Sequence, residues 1–348
     1  MEARQYHLWF IKRVIMKKIA VILAFATALL TMAPASAQQA KKKKIINRYS
    51  MRLIPQDDGS YKIDSKTLNL LAGEEPDGLY EPYKNVPLIP SSKVEDVSFK
   101  EIVYKTYPDR ELKLYIAPAV GAKAPTPVVC FIHGGGWRAG NPGSFRKHAM
   151  YVAKYAGFAG VSIGYSLAGQ KGVNISVTMQ DLHDAVQYLR EHASENNLDM
   201  KHLAFAGSSA GGHLAAMMAL TEPDAKVLSG WSGVYDMEQH LGDWVGGNSP
   251  EVVKYMFGGK RRKIQPYSPV YIIPDDRQIA VQLFQGTGDS SVHHSQAESF
   301  RDALEEAGQK TVECNIYPYY AHGLTGSSDK GRECFAKFIQ FTKEHIYD

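Results

Sequence analysis

The chain has 348 residues, 44% hydrophobic and 22% charged, a composition that fits a soluble globular protein with one large core or two modest ones. Its formal net charge is +4, and residues 1–37 alone carry Arg4, Lys12, Arg13, Lys17 and Lys18 against Glu2. The remainder is near neutral, so the basic balance is no argument for a nucleic-acid partner.

The N-terminus reads as an export signal. Lys17 and Lys18 precede the apolar run Ile19–Leu30, and Ala35-Ser36-Ala37 supplies small residues for cleavage. The run is shorter than the roughly 20 residues that span a bilayer, so no stable membrane anchor is expected. Met16 is a credible start. We therefore expect a signal peptide over 1–37, an N-terminal extension over 38–93 and a catalytic domain over 94–348, in a protein exported to the periplasm or beyond. Lys41–Lys44 reads as a solvated basic tail.

Within the extension, Asp58-Gly59 marks a hairpin turn between short alternating segments. From Val94 the rhythm is clearer. "VSFKEIVYKTY" and "ELKLYIAPA" alternate like paired strands, with no helix between them, which gives the sheet an antiparallel start. "PVVCFI" is a continuous apolar run, the mark of a strand buried on both faces. Cys130 lies in it as a small hydrophobe. Helical and extended segments then alternate to the C-terminus. "TMQDLHDAVQYLREHA" presents Leu182, Val186 and Leu189 on one helix face, and Gly308 ends the helix "SQAESFRDALEEA". Such alternation builds parallel crossover units, hence an α/β fold with a mostly parallel central sheet and helices on both faces. Residues 237–275 break the rhythm after the sixth strand, a small excursion over the sheet's carboxyl edge.

Three cysteines in an exported chain leave at least one thiol unpaired, with Cys314 and Cys334 the candidate pair. No Cys/His spacing resembles a zinc site. His293 and His294 are adjacent, so on regular structure their side chains would diverge; a surface or pocket pair is the better reading.

Ligands of parallel sheets bind at the carboxyl ends of the strands. There the sequence places His133-Gly134-Gly135-Gly136-Trp137, then Gly207-Ser208-Ser209-Ala210-Gly211, then Gly286-Thr287-Gly288-Asp289, then Ala321-His322-Gly323. A serine hydroxyl becomes a nucleophile when a neighbouring base takes its proton. Histidine is that base, and a carboxylate fixes its tautomer. Of the two serines, Ser209 has glycine two residues before and two after it, as a sharp strand-to-helix turn requires. Centring on Ser208 puts Ala206 and Ala210 at those places. Asp289 is the favoured acid, with Asp236 and Asp243 as competitors. His213, one turn beyond Ser209, reads as a packing residue.

With these motifs in place the chain resembles an α/β-hydrolase of the carboxylesterase kind, similar to hormone-sensitive-lipase-like esterases and to bacterial feruloyl and acetyl-xylan esterases. "HGGGW", "GSSAGGHLA", "GTGDSSV" and "AHG" carry the likeness, which covers residues 94–346. It implies the α/β-hydrolase fold, Ser209 as nucleophile, His322 as base and Asp289 as acid. It also implies an oxyanion hole from the N–H groups of Gly134, Gly135 and Ala210, with His133 anchoring the glycine loop. No metal or cofactor is implied. Where many lipase-like relatives read "RLAPE" after the tyrosine, this chain reads "SLAGQ" after Tyr165. Its N-terminal segment is also not the amphipathic cap helix typical of the lipase branch, and both departures lean toward the carbohydrate-esterase side; export and the aromatic residues favour acetyl or feruloyl esters of plant polysaccharide. Trp137, Trp231 and Tyr235 are candidate pocket walls. A peptidase or amidase of the same fold, a short-chain lipase-like esterase and a non-catalytic binding protein on a hydrolase scaffold are the rival readings.

Overall fold

A computed structural model describes residues 53–55, 61–63, 94, 96–242, 256–257, 261–318, 320–325 and 329–348. The expected signal peptide, Lys41–Lys44 and most of the extension lie outside the described residues. Among those described, no helix is long and apolar enough to cross a membrane.

The hairpin expected around Asp58-Gly59 forms: β1 (Leu53–Pro55) pairs antiparallel with β2 (Tyr61–Ile63). The main sheet has eight strands: β3 (Lys100–Tyr107), β4 (Arg110–Ala117), β5 (Thr126–Ile132), β6 (Ala159–Ile163), β7 (Leu198–Ser208), β8 (Ala225–Trp231), β9 (Ala280–Gly286) and β10 (Val312–Tyr317). Their spatial order is β10-β9-β8-β7-β5-β6-β4-β3. β4 pairs antiparallel with both β3 and β6, and the strands from β6 across to β10 are parallel to one another. The antiparallel start and the parallel remainder follow the sequence rhythm.

β5 shows why the sheet forms here. Residues 127–132 are all buried, and the pleat sends alternate side chains to opposite faces. Val128, Cys130 and Ile132 join the core cluster that includes Leu182, Val186 and Leu214. Val129 and Phe131 join the other, with Trp231, Phe338 and Phe341. Helices cover both faces: α1 (Arg146–Tyr151), α2 (Ile175–Glu191), α3 (Ala210–Thr221), α4 (Met237–Gly242), α5 (Ser295–Glu306) and α6 (Asp329–His345). α2 starts where the Asn174 side chain accepts from Val177 N at 3.1 Å, and its face carries the expected Leu182, Val186 and Leu189, each fully buried.

All three thiols are free. Cys314 packs on the cluster with Leu182 and Cys334 sits in the cluster with Phe131, so the sheet lies between them and they do not pair.

Sheet order fixes where a site forms. From β5 the chain goes to β6 on one side and later to β7 on the other. The crevice at the carboxyl ends of β5 and β7 is the switch point, where such sheets bind ligands.

Candidate active site

β7 ends at Ser208 and α3 begins at Ala210, so Ser209 alone makes the corner. Its backbone sits at φ 58° and ψ −126°, a left-handed conformation that costs a non-glycine residue about 1–3 kcal/mol. The corner is held by Ser209 N donating to Trp231 O at 2.9 Å. The flanking glycines are there for space. A Cβ on Gly207 would collide with the Gly211 carbonyl, and one on Gly211 would collide with the Ile132 carbonyl. This is the close approach that singled out Ser209 over Ser208.

The glycine loop after β5 passes directly beside the corner. A Cβ on Gly134 would lie 2.7 Å from Ser208 O and 3.2 Å from Ser209 Cβ. Among the described residues, the N–H groups of Gly134, Gly135 and Ala210 donate to no backbone carbonyl. His133 anchors the loop as expected. Its Nδ1 lies 2.8 Å from Gly134 O, its ring stacks on Tyr165 at 4.3 Å, and Tyr165 OH donates to its carbonyl at 2.7 Å. Burial lowers the His133 pKa to about 4, so the ring is neutral at physiological pH. The turn continues through Gly135, Gly136 and Trp137, all at positive φ, with Trp137 at 59°. For tryptophan that conformation costs about 1–2 kcal/mol, so it needs external support.

Asp289 and His322 come together from the ends of β9 and β10. His322 Nδ1 donates to Asp289 Oδ2 at 2.7 Å. Asp289 Oδ2 also accepts from Gln285 Nε2 at 3.0 Å, while Oδ1 accepts from Ser291 N at 2.8 Å and Val292 N at 2.9 Å. The Asp289 carboxylate is fully buried, and four donors satisfy it. With Nδ1 donating, the free form of His322 presents Nε2 as a proton acceptor. Among the described residues no hydrogen bond joins Ser209 Oγ to that nitrogen; substrate-free sites often hold this contact long.

The competing acid Asp236 has another task. Its Oδ1 accepts from Glu238 N at 2.9 Å and Gln239 N at 3.1 Å, capping α4. Asp243 lies outside the described residues.

Several sequence expectations need correction. Trp231 and Tyr235 are core residues, not pocket walls. Trp231 is 1% exposed and packs on Phe131, Phe145 and Phe338. Tyr235 is fully buried and stacks on Phe300 at 4.7 Å. Trp137 is also buried, against His213 and Phe257. His293 and His294 are the surface pair the sequence suggested: His293 is exposed and His294 half-buried, and their ring centroids lie 4.3 Å apart where His294 precedes the first turn of α5. His213 is fully buried, as a packing residue would be, but both its ring nitrogens also make hydrogen bonds, to Trp137 and to the Tyr267 carbonyl. Gln285 was missed, although it stands four residues before the acid on the same strand end.

The eight-stranded sheet, the serine corner at its switch point and the Asp289–His322 pair on neighbouring strand ends define an α/β hydrolase. The BD-FAE family profile matches residues 112–304, more than half of the chain, and the chain belongs to that family. An acetyl esterase of Salmonella schwarzengrund is 27% identical over 182 residues, 49% of this chain and 51% of its own length. An esterase of Gibberella moniliformis is 34% identical over 98 residues, 28% of this chain and 30% of its own. The chain thus spans about half or less of the length of these curated relatives. Among solved structures, the butyrate-bound esterase of Thermogutta terrifontis superposes with a TM-score of 0.59 at 25% identity, covering 72% of this chain and 95% of that one.

Proposed function

We propose that this protein is a serine carboxylesterase that works through an acyl-enzyme. The observation that carries the reading is the 2.7 Å bond from His322 Nδ1 to the buried Asp289 carboxylate, at the carboxyl edge of the same parallel sheet that carries the strained Ser209 corner. Ser209 Oγ attacks the ester carbonyl carbon, and His322 Nε2 takes the hydroxyl proton. Asp289 holds the ring in the required tautomer and stabilises the imidazolium. The carbonyl oxygen, now an oxyanion, is held by the N–H groups of Gly134, Gly135 and Ala210, each worth about 3 kcal/mol of barrier. Collapse of the intermediate breaks the bond to the alcohol, which leaves with the proton from His322. Water then attacks the acyl-Ser209 carbonyl, giving a proton to His322; the acyl C–Oγ bond breaks, Ser209 Oγ takes that proton back from His322, and the carboxylic acid departs.

The substrates we propose are acetyl or feruloyl esters of plant polysaccharide. Support comes from the acetyl esterase among the relatives, the "SLAGQ" departure from lipase-like sequences and the export signal read at residues 16–37. The same signal leads us to place the protein outside the cytoplasm, with an esterified polysaccharide or small ester as partner. The test is release of acetate and ferulate from natural xylan, beside turnover of short- and long-chain p-nitrophenyl esters. Turnover of p-nitrophenyl acetate with release of either acid supports both levels. Turnover without release overturns the polysaccharide assignment, and no turnover overturns the esterase.

A further inference from the structure

We infer that His213 is a positioning residue: it fixes the Trp137 indole so that the left-handed turn after Gly135 keeps the Gly134 and Gly135 N–H groups aimed at Ser209. This rests on the esterase reading and assigns a role to a residue outside the triad.

The hydrogen bonds define the tautomer. Trp137 Nε1 carries a proton and can only donate, and it lies 3.2 Å from His213 Nδ1. His213 Nδ1 must therefore be the acceptor, which puts the ring proton on Nε2. That nitrogen lies 2.6 Å from Tyr267 O and donates to it. One fully buried ring thus joins three separate elements: the glycine loop through Trp137, the helix behind the serine through its own backbone, and the excursion through Tyr267.

Packing makes the arrangement specific. Trp137 and His213 meet edge to face at 5.5 Å, and Phe257 packs edge-on against each at 5.9 Å. On the other side, Trp137 O accepts from Ala168 N at 2.8 Å. The strained φ of Trp137 is therefore held from both sides, by its carbonyl and by its indole. Gly134 already touches the serine corner closely, so relaxation of the turn moves the oxyanion donors directly. A displacement on the order of 1 Å is enough to cost about a hundredfold in rate.

The experiment compares His213→Phe, His213→Asn and His213→Gln. Phe keeps the ring and removes both hydrogen bonds. Asn offers Oδ1 where Nδ1 accepts from Trp137, whereas Gln reaches instead toward the Tyr267 side. With p-nitrophenyl acetate, His213→Phe is expected to lose about ten- to a hundredfold in kcat with little change in KM. His213→Asn recovers most of that loss and His213→Gln less. The Trp137 indole N–H signal, assigned by its disappearance in Trp137→Phe, moves upfield in His213→Phe and stays near its wild-type position in His213→Asn. The inference is overturned if His213→Phe keeps wild-type kcat, if its indole signal does not move, or if Asn rescues no better than Gln. Absence of wild-type turnover refutes the esterase reading itself, and the role of the turn with it. Wild-type turnover shared by His213→Phe refutes the role of His213 alone.

Discussion

Asp289→Asn is the substitution whose outcome the structure specifies most closely. The carboxylate accepts from four donors and donates to none: Ser291 N and Val292 N at Oδ1, Gln285 Nε2 and His322 Nδ1 at Oδ2. An amide can match only one side. If its nitrogen replaced Oδ1, two backbone N–H groups would lose their acceptor in a buried place, at about 1–3 kcal/mol each. The amide therefore turns its nitrogen toward Gln285 and His322. Its N–H now donates to His322 Nδ1, which moves the ring proton to Nε2 and leaves nothing to take the Ser209 proton. The known cost of the wrong tautomer in a triad is about 10⁴ in kcat, or roughly 5 kcal/mol of barrier. Steady-state turnover of p-nitrophenyl acetate at neutral pH measures it, with thermal unfolding to show that the protein is folded. Asp236→Asn is the matched control and should retain kcat, because that residue caps α4. An Asp289→Asn protein within tenfold of wild-type kcat would refute the assignment of the acid.

Other consequences follow from burial and charge. Gly211→Ala forces a Cβ onto the Ile132 carbonyl at the serine corner, so we expect insoluble protein or, where it folds, loss of serine reactivity in a labelling assay. Lys105→Met leaves the fully buried Asp181 carboxylate without the ammonium that lies 2.8 Å away, and should destabilise by about 3–5 kcal/mol in denaturant unfolding. Burial lowers the pKa of His133 and His213 to about 4, so the unfolded chain binds the extra protons first as pH falls. Their contribution is present in full above the ordinary histidine pKa and is lost as pH drops toward 4. Each is worth on the order of 3 kcal/mol over that window. The unfolding midpoint should decline across it, and His213→Asn should flatten the slope.

Much of this was legible in the sequence, for identifiable reasons. The buried strand "PVVCFI" has no polar face to hide, so its position in a parallel sheet was readable. The Gly207 and Gly211 spacing encodes a steric requirement, and the structure places backbone carbonyls where either Cβ would go. Strand-end placement brought Asp289 and His322 together because β9 and β10 are neighbours in both sequence and space. Aromatic residues at strand ends were misread, since sequence position does not say which face a cover lies on. Trp231 ends β8 on the face covered by α6, where Phe338 packs against it. The His213–Trp137 bond was not readable either. It joins residues 76 apart in the chain, and its third partner, the Tyr267 carbonyl, belongs to the irregular excursion.

The central claim is that Ser209, not Ser208, is the reacting atom's owner. A fluorophosphonate probe followed by intact-mass and peptide mapping tests it most directly. The account predicts one adduct per chain, on Ser209, abolished in Ser209→Ala and retained in Ser208→Ala together with turnover. Labelling that survives Ser209→Ala, or a wild-type protein that takes no label, would contradict it.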